Sequence, residues 1–387
     1  MTRKIVVLLS LAACSGPDAT TLDAPNGGDP PNPDASNVVP AGTILGSVET
    51  PDYFVRTLGS GLYQFQSTVR TGLTGDIVAT GSVLSGQIVG NVAVATQPYN
   101  QSGATPTFCK FDLSLGQRVD GFGTNGCTEA PRDDFTTNGI AKVPGGYRAV
   151  IQRDCTNGCP DVEESFALIK LDDAGLLDTT FGTDGILFTS ILPDLSASAF
   201  APQSTGDLIV SGYTGLYSMK LLRVHADGTL DTTFGTNGFV PNANGGRVRV
   251  LADDSIFLES TYNGVERIDR YTKDGAPLPG WGTDGRVDLK QLTQSTFDNH
   301  FNQTAADLDP EGRVVIGFSR TDTSDGPDKF YVLRLLASGA LDSSFGSGGI
   351  VALDLASKWI YGIGFESDGR IIVGTGKSGG TAVHIAP

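Results

Sequence analysis

The feature that most constrains the fold is a fixed spacing of glycines around an aromatic residue, which occurs five times. In each copy a glycine stands six residues before an aromatic-glycine pair, and another glycine follows the aromatic by four residues. The aromatics lie 47 to 64 residues apart and are Phe122, Phe181, Phe234, Trp281 and Phe345. A basic residue closes an apolar run before each copy, at Lys110, Lys170, Arg223, Arg270 and Arg334. These intervals are typical of four-stranded propeller blades rather than of helical repeats.

Turn signals followed by short β-rich runs predict how many blades the chain forms. They begin at Gly75, Gly146, Gly206, Asp254, Gly312 and Gly369, which makes six signals against five aromatic copies. The last unit, from Asp368 to Ile385, has no aromatic turn, and the segment 43–56 can supply its missing strand. Closing a ring with strands from both termini removes exposed sheet edges. We therefore predict an all-β chain, a six-bladed β-propeller of four-stranded blades over residues 43–387, closed by an N-terminal strand.

Two of the copies carry a family resemblance. The runs Gly175–Gly185 and Gly228–Gly238 resemble the delta-60 repeat, a bacterial repeat assigned to an uncharacterised β-propeller family. The resemblance covers about residues 60–387. It implies a propeller fold and an extracytoplasmic setting, and it implies no established activity. Copies one and four depart from the pattern, because Val119-Asp120 is shifted by one residue and the run 276–279 lacks the aspartate.

The motif residues have a mainly structural interpretation. An aromatic side chain is large enough to fill the space between blades, and Asp178, Asp231 and Asp342 can accept hydrogen bonds from turn N–H groups. The basic residues leave three alternatives open. They can extend along the blade, pair with the turn aspartates, or form a positive ring around a central channel.

The N-terminus predicts export and lipid attachment. Residues 1–13 combine a basic start with an apolar run too short to span a bilayer, which is typical of a signal peptide. The sequence Leu11-Ala12-Ala13-Cys14 resembles the lipobox of bacterial lipoproteins, which implies cleavage before Cys14 and acylation of that residue. Residues 14–42 are rich in Pro, Asp, Asn and Gly and predict a disordered tether. We expect a protein anchored to the bacterial cell envelope, at the outer membrane or cell surface.

Composition excludes some classes of partner and structure. The formal net charge of −16 repels phosphate backbones, so we expect no nucleic-acid partner. The 51 glycines and 20 prolines argue against long helices, which also excludes a multi-helix membrane protein. We expect a monomer whose membrane contact is its lipid anchor.

The four cysteines beyond Cys14 predict disulfides, because an even number in an exported protein indicates pairing. Three pairings are possible. We favour Cys109 with Cys127, which flank the first aromatic turn, and Cys155 with Cys159, which close a tight loop. A metal site is the weaker interpretation, because no histidine lies close to the cysteines in sequence, and we predict no bound metal there.

Two classes of function remain open. A binding scaffold for an unknown protein or glycan is favoured over a propeller hydrolase or an oxidoreductase, because an enzyme should show one blade with convergent ionisable groups. The only such candidate is the acidic loop with Asp154, Asp161, Glu163 and Glu164. We name no catalytic residue and no cofactor, although this loop and residues 322–328 could bind calcium through oxygen ligands.

Loop lengths indicate where a ligand would bind. The span from strand turn to basic residue varies most, which predicts that loops 83–106, 152–165 and 320–329 and the linker 287–305 crowd one face. Loops that vary on a rigid scaffold are the usual carriers of function.

Overall fold

A computed structural model describes much of the chain after residue 40. Every described residue belongs to the compact unit Val39–Pro387. No helix among these residues is long and apolar enough to cross a membrane. The described residues are 41–50, 62–65, 84–89, 92–97, 107–112, 117–131, 135–153, 166–189, 191, 195–214, 218–243, 245–262, 265–292, 301–309, 311–321, 328–354, 360–365, 369–376 and 380–387.

Antiparallel strands form six sheets in these segments. The N-terminal strand is β1 (Ile44–Thr50). The first sheet contains β2 (Leu62–Phe65), β3 (Leu84–Val89), β4 (Val92–Gln97), β5 (Thr107–Asp112), β6 (Gln117–Arg118) and β7 (Cys127–Glu129). The second contains β8 (Phe135–Val143), β9 (Gly146–Arg153), β10 (Ala167–Leu171) and β11 (Ile186–Phe188). The third contains β12 (Leu195–Pro202), β13 (Leu208–Thr214) and β14 (Ser218–Val224).

The remaining sheets follow the same order. The fourth contains β15 (Gly246–Val250), β16 (Ile256–Tyr262), β17 (Val265–Tyr271) and β18 (Arg286–Asp288), followed by the short helix α1 (Leu289–Leu292). The fifth contains β19 (Phe301–Leu308), β20 (Val314–Thr321), β21 (Asp328–Leu335) and β22 (Ile350–Leu353). The sixth contains β23 (Ile360–Phe365), β24 (Ile371–Gly376) and β25 (Gly380–Ile385), with β1 paired to β25.

Central strands of the second to fifth sheets are apolar on both faces because each of these sheets packs between two others. In β13, Leu208 and Val210 belong to the core shared with the second sheet, whereas Ile209 belongs to the core shared with the fourth. All three side chains are fully buried. A strand buried on both faces therefore reads as a continuous apolar run, as Leu208-Ile209-Val210 does.

Each pair of successive sheets, from the first to the sixth, shares one hydrophobic core, and each core holds one motif aromatic. The aromatics in order along the chain are Phe122, Phe181, Phe234, Trp281 and Phe345. Phe122 shows how they fit, because a Cβ atom added to Gly175 of the second sheet would lie 2.5 Å from its ring. The aromatic of one repeat thus fills space that a glycine of the next repeat leaves open.

The N-terminal strand occupies the outer position of the sixth sheet, as the sequence predicts for the segment 43–56. Ile44 pairs with Ile385, and the Gly42 N–H donates to the Ala386 carbonyl at 3.0 Å. The Ala386 N–H donates in turn to the Thr43 carbonyl at 2.8 Å. In the second sheet one continuous turn makes the matching bonds, from the Gly175 N–H to the Asp172 carbonyl and from the Asp172 N–H to the Leu176 carbonyl. Two distant segments thus build one strand connection.

The first sheet differs from its prediction. Residues 83–106, expected as a loop, contain β3 and β4, and β4 is the strand that pairs with β5. The run 75–79, expected in that position, lies outside the described residues. The linker 287–305 likewise contains the end of β18, α1 and the start of β19. Both segments contain β-branched and apolar residues that can form strands. The prediction missed these strands because it considered only the length of each segment.

The second half of each motif is a tight hairpin. In the third copy Asn237 and Gly238 have φ values of 53° and 92°, and an antiparallel bridge joins Thr236 to Phe239 on either side. Two successive positive φ angles define a type I′ turn, which favours Asn-Gly and Asp-Gly. The recurring sequences Thr-Asn-Gly and Thr-Asp-Gly are explained by this geometry.

Candidate functional site

The basic residue of every repeat lies over the aromatic of the same repeat. The distances from the cationic group to the ring centroid are 5.9 Å for Lys110 and Phe122, 5.9 Å for Lys170 and Phe181, 5.0 Å for Arg223 and Phe234, 5.4 Å for Arg270 and Trp281, and 4.6 Å for Arg334 and Phe345. Such contacts contribute roughly 0.5–2 kcal/mol, and more when they are withdrawn from water. Sequence reasoning missed this stacking, although the constant spacing between each cation and its aromatic could have indicated it.

Three of the cations also pair with the turn aspartate. The nitrogen-to-oxygen distances are 2.6 Å for Lys170 and Asp178, 2.6 Å for Arg223 and Asp231, and 2.8 Å for Arg334 and Asp342. The other carboxylate oxygen of each aspartate accepts hydrogen bonds from a backbone N–H and a hydroxyl two residues later, on Thr180, Thr233 and Ser344. Each aspartate is therefore engaged by its own repeat.

These contacts lower the pKa of the aspartates. For Asp178, the hydrogen bonds from Lys170 and then Thr180 lower the pKa to about 2. For Asp231, desolvation raises the pKa, but hydrogen bonds from Thr233 and Arg223 outweigh it and lower the pKa to about 2. Carboxylates held ionised in this way stabilise the turn and do not serve as proton donors near neutral pH.

The fourth copy lacks the aspartate and has the tryptophan. Leu278 occupies the aspartate position, and its N–H donates to the Arg270 carbonyl at 2.9 Å, as Asp231 does to Arg223 at 3.0 Å. The Arg270 guanidinium lies over Trp281. Arg270 as a whole is 9% exposed. Tryptophan presents the strongest cation–π face of the aromatic residues. The fourth copy thus keeps the cation–π contact without an ion pair to a turn aspartate.

Backbone hydrogen bonds at the same turns connect neighbouring sheets. In each bond the donor is the N–H of the glycine that follows the aromatic. The acceptor is the carbonyl oxygen of the residue just before the first motif glycine of the next repeat. These bonds run from Gly123 to Ala174 at 2.7 Å, from Gly235 to Asp274 at 2.9 Å, from Gly282 to Ser338 at 2.8 Å, and from Gly346 to Ala41 at 2.9 Å. In the last of them the N-terminal segment takes the place of a repeat.

The cysteines fall partly within the described residues. Cys109 and Cys127 are direct register partners between β5 and β7, and Cys127 is disulfide-bonded. Opposite residues on paired strands bring Cβ atoms close enough for a disulfide. The pairing of these two cysteines stays a prediction that the register supports. Cys155 and Cys159 lie outside the described residues.

Two other predicted sites also lie outside them. These are the lipidation site Cys14 and the acidic loop with Asp154, Asp161, Glu163 and Glu164. The segment 322–327, part of the second calcium candidate, is outside as well. Within the described segments, no group of three or more His, Cys, Asp or Glu residues is arranged to hold a metal ion.

One charged cluster escaped prediction from the sequence. On β15 and β19, the first strands of the fourth and fifth sheets, Arg249 Nη1 lies 3.0 Å from Asp307 Oδ1. On the same face of β15, Arg247 lies 3.7 Å from Glu259 of β16. A comparison of the first strands of successive repeats, position by position, could have revealed it.

Comparison with known families supports a β-propeller repeat family. A family model described as "Domain of unknown function (DUF5122) beta-propeller" matches residues 203–234 and 310–345, which contain the β13 to β14 and β20 to β21 hairpins. The antiparallel four-stranded sheets agree with that fold. A search of curated proteins finds no match.

Several solved structures are similar in shape. A WD40 β-propeller domain of Doa1 is 11% identical, with 89% of this chain and 96% of that chain covered and a TM-score of 0.43. The calcium-binding protein regucalcin from Agrobacterium tumefaciens is 11% identical, with 86% and 95% covered and a TM-score of 0.41. A glucose dehydrogenase is 10% identical, with 84% and 99% covered and a TM-score of 0.39. Similarities at this level indicate neither ligand nor activity.

Proposed function

We propose that this chain is a lipid-anchored β-propeller of the bacterial cell envelope that acts as a binding scaffold for a protein or glycan ligand. Residues 1–13 would direct export, and Cys14 would carry the lipid. Residues 14–40 would hold the propeller away from the membrane, because Ala41 and Gly42 already bond to the fifth and sixth sheets. The same proposal includes six blades in a closed ring. The pairing of β1 with β25 supports closure, because the sixth sheet then combines the N-terminal strand with the three C-terminal strands, and β1 leads directly into the first sheet.

The observation that carries the scaffold proposal is the uneven length of the strand connections. From the second to the sixth sheet, the connections between second and third strands contain 13, 3, 2, 6 and 3 residues. The connections between first and second strands contain 2, 5, 5, 5 and 5 residues. In an antiparallel sheet these two sets emerge at opposite ends. One end is thus nearly uniform and the other varies, as expected of a constant scaffold with a variable binding surface.

The uniform end also contains the aromatic turns, whose three aspartates are engaged within their own repeats. Asp178, Asp231 and Asp342 each bind their own cation and their own turn. Groups satisfied within the repeat have little left to offer a ligand. We therefore place the binding surface at the opposite end, which includes the acidic loop 154–164.

Cell fractionation tests the anchor. Cys14→Ser should move the protein from the membrane fraction to the soluble fraction, because no acyl chain can then attach. Ser15→Ala, which leaves the acceptor in place, is the matched control and should stay with the membrane. Retention of the Cys14→Ser protein in the membrane fraction would refute the anchor.

Cross-linking on intact cells tests the binding surface. A photoreactive residue placed at Asp161, within the 13-residue connection of the second sheet, should give cross-linked partners. The same residue at the exposed Thr179 of the uniform end should give none. Equal cross-linking from both positions would contradict the assignment of the surface.

A further inference from the structure

The charged cluster on β15 and β19 differs from the first strands of the third and sixth sheets. Arg249 and Asp307 each stand in the next-to-last pair of the first hairpin of their sheet, opposite Phe257 and Val315. The same position holds Ala201 in the third sheet and Gly364 in the sixth, and the next-to-last pair of the second sheet holds Lys142 opposite Tyr147. Two neighbouring repeats therefore place opposite charges where two others have small side chains. Convergent ionisable groups that interrupt a repeat are a mark of a functional site.

The position on the other side of the cluster shows the same break. Arg247 of β15 pairs in register with Glu259 of β16, and the corresponding pair in the fifth sheet is Ala305 with Gly317. Arg247 has a side chain that is 61% exposed, whereas the side chain of Glu259 is only 6% exposed. The cluster thus runs from an accessible guanidinium at Arg247 to a buried carboxyl group at Asp307.

Asp307 is only partly satisfied within this cluster. Its Oδ1 accepts hydrogen bonds from Arg249 Nη1 at 3.0 Å and from the Leu308 N–H at 2.8 Å. Its Oδ2 is buried and has no hydrogen-bond partner among the described residues, on a side chain that is 5% exposed. Burial raises the pKa of Asp307, against the opposing charge of Arg249. A buried polar atom without a partner costs free energy that a donor group on a ligand would recover.

The geometry points to a binding site for a small hydroxy-carboxylate, such as a sugar acid, between β15 and β19. The guanidinium groups of Arg247 and Arg249 would bind the carboxylate, because the planar fork of arginine matches an oxyanion. A ligand hydroxyl would donate to Asp307 Oδ2. Residues two apart on a strand are about 7 Å apart, which a six-carbon hydroxy acid can span.

Two competing ligand classes fit the cluster less well. A divalent cation would face the positive charges of Arg247 and Arg249, which oppose its binding. An anion without hydroxyl groups, such as phosphate, would leave Asp307 Oδ2 without a donor. This inference does not depend on the proposed scaffold function, because it concerns the first strands rather than the variable end, and either can fail without the other.

Isothermal titration calorimetry of the full chain with D-gluconate tests the site. Gluconate should bind the wild-type protein, and Arg247→Gln and Asp307→Asn should each weaken binding at least tenfold. Lys273→Gln removes the same charge from a side chain that is 62% exposed on a turn of the same sheet, and it should leave binding unchanged. Because Arg247 is exposed, its variant should fold even if Asp307→Asn does not.

Two further probes make the assignment refutable. Glucose, which has the hydroxyls without the carboxylate, should bind at least tenfold more weakly than gluconate, and inorganic phosphate should also bind more weakly. Absence of gluconate binding to the wild-type protein, or binding that Arg247→Gln leaves unchanged, would overturn the site. Phosphate binding as tight as that of gluconate, lost in Arg247→Gln but kept in Asp307→Asn, would overturn the hydroxy-carboxylate assignment.

Discussion

Removing the turn aspartate should cost more stability in some repeats than in others, because the partner cations differ in exposure. The side chain of Arg334 is 2% exposed and that of Arg223 is 12% exposed, whereas that of Lys170 is 34% exposed. Breaking a buried ion pair leaves an uncompensated charge at a cost of about 3–5 kcal/mol. We therefore expect Asp342→Ala to lower the free energy of unfolding by about this amount, Asp231→Ala by less, and Asp178→Ala by the least.

The conservative substitution separates the ion pair from the turn. Asp342→Asn keeps an oxygen for the Ser344 N–H and hydroxyl but removes the charge that neutralises Arg334. Because a neutral turn hydrogen bond contributes about 0.5–1.5 kcal/mol, most of the loss should persist in the asparagine variant. Urea unfolding followed by circular dichroism measures all four variants against the wild-type protein.

An equal loss of stability in the three alanine variants would refute this expectation. That result would show that the turn hydrogen bonds, which the three copies share, determine the cost. Wild-type stability of Asp342→Asn would refute it as well, because the charge of Arg334 would then need no partner.

Four other predictions address the repeat. In urea unfolding, Gly175→Ala should lower the free energy of unfolding by about 1–3 kcal/mol more than Gly145→Ala. Both glycines have φ near 75°, but only at Gly175 would the added Cβ meet an aromatic ring. Trp281→Phe should lower the free energy of unfolding by about 2 kcal/mol, and adding Leu278→Asp should restore part of that loss. Absence of any recovery would argue against compensation of the missing carboxylate by the larger ring. Gly42→Val should lower the thermal midpoint and loosen β1 in hydrogen exchange, because an added Cβ would lie 2.4 Å from Gly346 N. The stability supplied by Asp231, whose pKa falls to about 2, should be full above about pH 4 and lost as pH falls toward 2, and Asp231→Asn should flatten that acid dependence.

The repeat was predictable from sequence because its residues act locally. Asn237 and Gly238 specify a type I′ turn wherever they follow one another, and Arg223 lies eight residues from its partner Asp231. These interactions join residues close in sequence, so they form in the same way whatever the rest of the chain contains. Turn chemistry and apolar periodicity therefore sufficed to predict β-strands, the aromatic turn and a strand contributed by the N-terminal segment.

The first sheet was harder to predict because local signals there compete. The segment 75–106 contains more β-rich runs than one blade needs, and the sequence does not indicate which of them pairs with β5. Strand register is decided by contacts with neighbouring sheets rather than by the run itself. The strand that follows the turn signal at Gly75 was therefore assigned wrongly, and β4 takes its place.

Asp231 and Asp307 show why the charged cluster on β15 and β19 could not be found from the repeat motif. Both aspartates contact an arginine, yet hydrogen bonds lower the pKa of the first, whereas burial raises the pKa of the second. Asp231 receives a guanidinium, a backbone N–H and a hydroxyl, all from within ten residues, and both of its oxygens are satisfied. Asp307 depends on Arg249, 58 residues away on another sheet, and its Oδ2 receives no hydrogen bond from the described residues.

The number of hydrogen bonds that each aspartate receives from its own repeat distinguishes a structural aspartate from one that can bind a ligand. A carboxylate that its own repeat satisfies can recur in several blades, because each copy carries the partners it needs. A buried carboxyl oxygen that no repeat satisfies destabilises the fold wherever it occurs, so it is expected only where something outside the repeat compensates for it. That compensation is what the proposed hydroxy-carboxylate would supply, and it explains why the charge appears on two first strands while Ala201 and Gly364 occupy the same position in others.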